Sequence, residues 1–110
     1  MQATVSRLTL AGLILGLILP AVAQAQGDAA RIFKANCVLC HSANGSGDST
    51  AGKALKAKDL RSAEVQKKSD AEILVVITKG KGKMPAFAEQ IQPTDMKKVV
   101  VYVRHLAKKK

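Results

Sequence analysis

Cys37, Cys40 and His41 lie in the run Cys37-Val38-Leu39-Cys40-His41, and the chain has no other cysteine. Two thiols separated by two residues, with an imidazole immediately after, have the spacing at which haem c is attached. Each thiol can add across one haem vinyl group to give a thioether, and the imidazole then sits under the iron as its proximal ligand. Two other chemistries use the same residue types. A reactive dithiol of the thioredoxin kind expects a βαβ setting, and nothing before Cys37 has a strand pattern. A zinc site needs four ligands, and the only other histidine, His105, stands far along the chain with no second Cys or His pair near it. The spacing predicts one covalently bound haem c with its iron. A haem-free dithiol oxidoreductase is the alternative that an absorption spectrum would separate.

The segments around the motif must carry it to the right compartment and shape. Residues 1–25 have the form of a secretory signal peptide. Arg7 supplies the positive start, Leu8 to Leu19 is an uncharged apolar run, Pro20 breaks it, and Ala23-Gln24-Ala25 is a small-x-small cleavage site. Ala21-Val22-Ala23 is a second such site. The run is short of the ~20 apolar residues that a spanning helix needs, which favours a removed leader over a retained anchor. The expected organisation is a signal peptide over 1–25 and one domain over 26–110, exported and soluble in the periplasm. A domain of that length usually needs a staple to be stable. With only Phe33, Phe87 and Tyr102 as aromatics, the core is thin. Haem can be the staple, and the apo chain is then expected to be largely unfolded.

Within the domain the patterning is helical. Ala29, Ile32 and Phe33 share one face of a helix over Asp28–Asn36 that runs straight into Cys37. Residues 42–52 are rich in Gly, Ser, Asn and Asp and read as a loop, and 53–68 as polar chain with at most a short helical turn. Ser69 and Glu72 form a capping box for a helix to Lys79, stopped at Gly80, with Ile73, Val76 and Ile77 as its buried stripe. Residues 80–92 form an extended loop with Met84, Pro85 and Phe87. Thr94 is placed as the cap of a last helix to about Ala107, with Met96, Val99, Val100, Val103 and Leu106 at helical spacing. Ile73–Thr78 and Val99–Val103 are also strong strand formers, but their caps and stop signals decide for helix.

These elements together resemble a small class I cytochrome c, close to the bacterial single-domain and algal-type carriers, over nearly the whole of residues 26–110. Phe33 four residues before Cys37, the Cys37–His41 motif, Lys83-Met84-Pro85-Ala86-Phe87 and Val101-Tyr102-Val103 carry the resemblance. It implies an all-α fold of three to four helices wrapped around one haem. The segment around Met84 resembles the family's distal-ligand loop, and the one around Tyr102 the aromatic-bearing stretch that crosses the first helix. Physical chemistry agrees on Met84: a soft, neutral thioether favours reduced iron and raises the potential, and Pro85 stiffens its loop. Met96 is assigned to the core and His105 to the solvent. The chain departs from the family in one place. Many members have a proline after the haem loop whose carbonyl accepts a bond from the proximal imidazole. Ser49-Thr50-Ala51-Gly52 has none, and a carbonyl of Thr50 or Ala51 is the expected substitute.

With both axial positions filled, no open site is left for a substrate, so the expectation is a single-electron carrier and not an enzyme. A haem peroxidase or small-ligand sensor with a labile sixth ligand is the rival, distinguished by spin state. The formal net charge is +10, and loss of Arg7 with the leader removes one unit. Such a charge favours acidic redox partner proteins. Nucleic acid does not fit an exported haem protein, and no membrane insertion is expected once the leader is gone. A monomer is expected. Lys79, Lys81 and Lys83 are placed near the haem edge, on a stretch that Gly80 and Gly82 keep slim and flexible, and Lys108 to Lys110 in a solvated tail.

Overall fold

The computed structural model describes residues 12–17 and 21–109. Most of the expected leader therefore lies outside the described residues. Among them there are six helices and no strand: α1 Ala21–Asn36, α2 Val38–His41, α3 Thr50–Leu55, α4 Ala63–Gln66, α5 Asp70–Lys79 and α6 Pro93–Lys108. The fold is all-α. The excess over three to four helices comes from α2 and α4, each a single turn of four residues, and from α3 with six. None is long and apolar enough to cross a membrane.

Three longer helices build the frame. α6 packs across α1 and against α5. Its stripe Met96, Val99, Val100, Val103 and Leu106 is fully buried, as the helical spacing requires. Phe33 on α1 is 1% exposed and meets Tyr102 on α6 at a ring-centroid distance of 5.0 Å and an interplanar angle of 48°, a tilted aromatic pair at the helix crossing. Ile73 and Ile77 of α5, Val65 of α4 and Ile91 complete the core.

The caps explain where the helices stop. Ser69 and Glu72 make the capping box in both directions, with Glu72 N–H to Ser69 Oγ at 3.1 Å and Ser69 N–H to a Glu72 carboxylate oxygen at 2.6 Å. That bond to the backbone holds the Glu72 carboxyl below its ordinary range. Gly80 ends α5 at φ 73°. α6 begins one residue before Thr94: Pro93 occupies its first turn and Gln92 is the N-cap, without a side-chain bond. Proline's fixed φ and missing N–H suit that position, so Thr94 is not the cap. α1 starts at Ala21, earlier than Asp28, and passes through the expected cleavage site. Arg104 on α6 fastens the α4–α5 junction. Its guanidinium donates to Asp70 and to the backbone carbonyls of Gln66 and Lys68.

Candidate functional site

α1 hands the chain directly to the motif. Cys37 N–H donates to Phe33 carbonyl at 2.8 Å, and His41 N–H to Cys37 carbonyl at 2.9 Å, so Cys37 to His41 form one further turn. Leu39 points outward and is 77% exposed, while Cys37, Cys40 and His41 are half-buried. Both cysteines are free thiols. Burial and then the neighbouring Cys40 push the Cys37 thiol up to about 11. A dithiol nucleophile needs the opposite shift, and the described residues hold no strand for a βαβ setting, so the dithiol alternative loses its support. No three His, Cys, Asp or Glu side chains among the described residues converge on a point where they could hold a metal ion by themselves.

The loop after the motif is laced to it. Ser42 Oγ donates to Asp48 at 2.7 Å and accepts from Ser49 N–H at 3.0 Å. Ser49 Oγ in turn accepts from Gly52 N–H at 3.0 Å as the cap of α3, and donates to Leu39 carbonyl at 2.7 Å. Bonds from Ser46 and then Ser42 hold the Asp48 carboxyl below its ordinary range. The helix opening at Thr50 lies inside what the composition marked as loop. Its cap Ser49 and the close approach allowed by the buried Gly52 press α3 onto α2.

The acceptor for His41 is not Thr50 or Ala51, because both are the opening residues of α3, where carbonyls serve the helix ladder. It is Lys58: its carbonyl lies 3.0 Å from His41 Nδ1. A carbonyl can only accept, so the proton sits on Nδ1 and the lone pair on Nε2 is free to ligate.

Met84 comes from the opposite segment, after α5. Lys81 and Met84 exchange backbone bonds of 3.1 and 3.0 Å across Gly82-Lys83. Gly82 has φ 58° at the first central position, where a tight II′ turn takes glycine. Phe87 N–H donates to Ile77 carbonyl at 3.0 Å and ties the loop back to α5. At Gly80 the chain is slim by need: a Cβ there would sit 2.6 Å from Met84 carbonyl and 2.9 Å from Ala86 N. Gly80 is the residue that lets the loop close tightly.

Between the two segments lies a cleft. Its inner part is walled mainly by apolar side chains, among them Phe33, Leu60, Val65, Ile77 and Val103, together with Cys37, and is also lined by Lys58, Glu64, Lys68 and Lys81. Its outer part holds Cys40 and Leu55. His41 and Met84 line both parts. Most residues lining the inner part are apolar, and no polar or charged residue is fully buried among the described residues, so the interior suits a largely apolar occupant. A flat apolar ring between an imidazole and a thioether, with thiols at its rim, fits this donor set and these walls.

Met96 lies in the core, 3% exposed, with Thr78 Oγ1 3.6 Å from its sulfur. His105 lines a separate surface cavity between α1 and α6 with Gln26, Lys98 and Lys109, and no residue of that cavity lines the cleft. Lys81 and Lys83 do line the outer cleft, where they meet Lys56 and Lys58, which composition alone did not single out. Lys79 falls instead in a neighbouring groove with Lys68. Among the described residues, Lys56, Lys81 and Lys83 enter no ion pair, whereas Lys58 bonds Glu64 at 2.9 Å.

Comparison with known proteins covers the same span. The family model described as cytochrome c oxidase, cbb3-type, subunit III matches residues 24–103. Cytochrome c6 of Gloeothece citriformis (strain PCC 7424) is 36% identical over 112 residues, which take in 99% of this chain and 98% of that protein. Cytochrome c6 of Microcystis aeruginosa is 40% identical over 82 residues, 74% of this chain and 98% of its own length. The solved structure of the c-type cytochrome KustC0563 matches with a TM-score of 0.67 at 31% identity, covering 72% of this chain and 96% of that one.

Proposed function

Because this chain belongs to the small monohaem class I c-type cytochromes, electron-transfer proteins that carry covalently bound haem c, we propose that it is an exported, periplasmic one-electron carrier and not an enzyme. In this reading Cys37 and Cys40 hold the haem as thioethers, His41 supplies Nε2 to the iron from one side and Met84 its sulfur from the other. Haem, when bound, supplies the ferric–ferrous couple. The chain's residues do the rest: the Lys58 carbonyl fixes the His41 tautomer, the Lys81–Met84 turn with Gly82 presents Met84, and the mainly apolar walls keep water from the ring. The observation that carries the reading is that His41, with Nε2 left free, and Met84 line the same mainly apolar cleft as both thiols.

The match to the family model begins at residue 24, which supports a domain over 26–110 preceded by a leader over residues 1–25. Treating the holoprotein with acidified organic solvent should leave haem on the polypeptide. Release of free haem would remove the thioether assignment. Ferric and ferrous optical spectra should both be low spin. A high-spin ferric form at neutral pH would instead favour a peroxidase or ligand sensor with an open sixth position.

The free cations at the outer cleft support acidic redox partners, approached by a monomer. Screening shortens the reach of such charges to ~8 Å at physiological salt, so electron transfer to an acidic partner should slow as salt rises. Changing Lys56, Lys81 and Lys83 to Gln should lower the association rate about tenfold at low salt and flatten its salt dependence. The same change at Lys108, Lys109 and Lys110 should do much less. Equal effects from both triplets would show that net charge alone steers the encounter.

A further inference from the structure

The bond from His41 Nδ1 to the Lys58 carbonyl depends on where the Ala57–Lys58 peptide is held, and no proline stiffens it. Residues on either side are pinned instead. Ala57 N–H donates to Gly52 carbonyl at 2.8 Å, and Leu60 N–H donates to Gly45 carbonyl at 2.8 Å. Between these pins the peptide rests against Gly47. Gly47 is buried and has φ 73°. A Cβ built on it would stand 2.8 Å from Ala57 carbonyl and 3.3 Å from Lys58 carbonyl. Gly47 N–H also donates to His41 carbonyl at 2.8 Å. One glycine thus touches both ends of the imidazole's support: the backbone of the histidine and the carbonyl that receives its proton.

We propose that Gly47 is a positioning residue for the proximal imidazole, holding the Lys58 carbonyl where it accepts the His41 Nδ1–H and thereby setting the reduction potential. This rests on His41 being an iron ligand. A hydrogen bond at the remote nitrogen makes the ligating nitrogen a stronger donor, and a stronger donor favours ferric iron. A side chain at position 47 must displace the Ala57–Lys58 peptide, weaken that bond and favour ferrous iron.

The control is Gly45→Ala. Gly45 lies in the same loop with φ 83°, but its Cβ would meet the side chains of Leu106 and Leu60 and not the peptide of Lys58. Both variants carry backbone strain. Gly45 carbonyl receives the Leu60 N–H, but the Cβ there would meet only the end of the Leu106 side chain at 3.0 Å and Leu60 at an ordinary 3.4 Å, so that pin is kept. Only Gly47→Ala sets a Cβ against the acceptor peptide itself. In the holoprotein, Gly47→Ala should raise the ferrous-to-ferric ratio at a fixed applied potential by several-fold, approaching the tenfold that corresponds to ~59 mV for one electron. Gly45→Ala should leave the ratio within twofold. Equal shifts, or none for Gly47→Ala, would overturn the proposal.

Should Gly47→Ala fail to fold, nuclear magnetic resonance on the unaltered holoprotein decides. The His41 Nδ1 proton should exchange with solvent far more slowly than that of an open imidazole, and rapid exchange would overturn the proposal. If the His41 ring shows no shift from the haem at all, the ligand assignment fails first and the inference falls with it.

Discussion

Met84→Ala should turn the low-spin ferric protein into a high-spin or water-ligated one and lower its reduction potential. Met84 is half-buried, and its backbone is clamped to Lys81 by two hydrogen bonds of 3.1 and 3.0 Å. With Met84 as the proposed sixth ligand, cutting the side chain to a methyl would remove the donor without releasing the turn that presents it, and the position it would hold would pass to water. A thioether stabilises ferrous iron relative to harder ligands, hence the downward direction. A fall on the order of 100 mV sits well inside the ~0.8 V over which axial ligands set haem potentials. Optical spectra and a potentiometric titration measure both effects. Met96→Leu is the matching control. Met96 is 3% exposed in the packed core, and a volume-conserving change there costs under about 1.5 kcal/mol and should leave the iron spectrum untouched. If Met96→Leu alters the spectrum and Met84→Ala does not, the two methionines have been assigned the wrong way round.

Gly52→Ala should be the most destabilising single methyl in the domain. Gly52 is buried on α3 where that helix meets the Cys37–His41 turn, and a Cβ there would run into the backbone carbonyls of Cys40 and Gly47. Neither can swing aside as a side chain would. Cys40 belongs to the turn that presents His41, and Gly47 is already committed to His41 carbonyl. Overpacking of this kind costs about 1–3 kcal/mol and sometimes more, and each kcal/mol lowers the midpoint of a domain this size by roughly 4–8 °C. Thermal unfolding of the holoprotein should therefore show a drop of about 10 °C or more, with a lower yield of haem-loaded protein. Gly27→Ala, with nothing within 4 Å of its Cβ, should not destabilise. Similar midpoints for the two variants would mean that α3 can move off α2 without penalty.

What the sequence disclosed and what it hid divide along physical lines. Side-chain patterns with fixed spacing were readable: the Ser69–Glu72 box and the 96–99–100–103–106 stripe of α6, because periodicity forces such residues onto one face. The residues singled out by their spacing, Cys37, Cys40, His41 and Met84, do meet at one cleft. Main-chain chemistry was not readable. Every residue but its neighbours offers the same carbonyl, so nothing in the letters marks Lys58 over Thr50 or Ala51 as the His41 acceptor. Glycines were read as punctuation, and the structure separates them into close packers (Gly52 and Gly80) and a turn former (Gly82). The start of α6 was misplaced by two residues, the cap lying at Gln92 and not at Thr94, because Thr94 is a better cap chemically, while Pro93 settles the geometry. Lys56 and Lys58 join Lys81 and Lys83 only through folding, since a stretch of sequence with two helices separates the pairs.

The crossing of α1 over α6 sets an order of events as well as a shape. It joins the first and last helices of the domain, and α6 alone contributes Met96, Val99, Val100, Val103 and Leu106 to the interior. A chain that emerges from ribosome or translocon with its N-terminus first exposes Cys37, Cys40 and His41 long before those five residues are available to close over Phe33. Contacts between distant parts of a chain are the last to be rewarded in folding. The thiols therefore stay open to solvent and to any attachment machinery for as long as the last helix is still being delivered. Arrival of α6 makes the closure possible, and haem, as the staple of a thin core, is what would complete it.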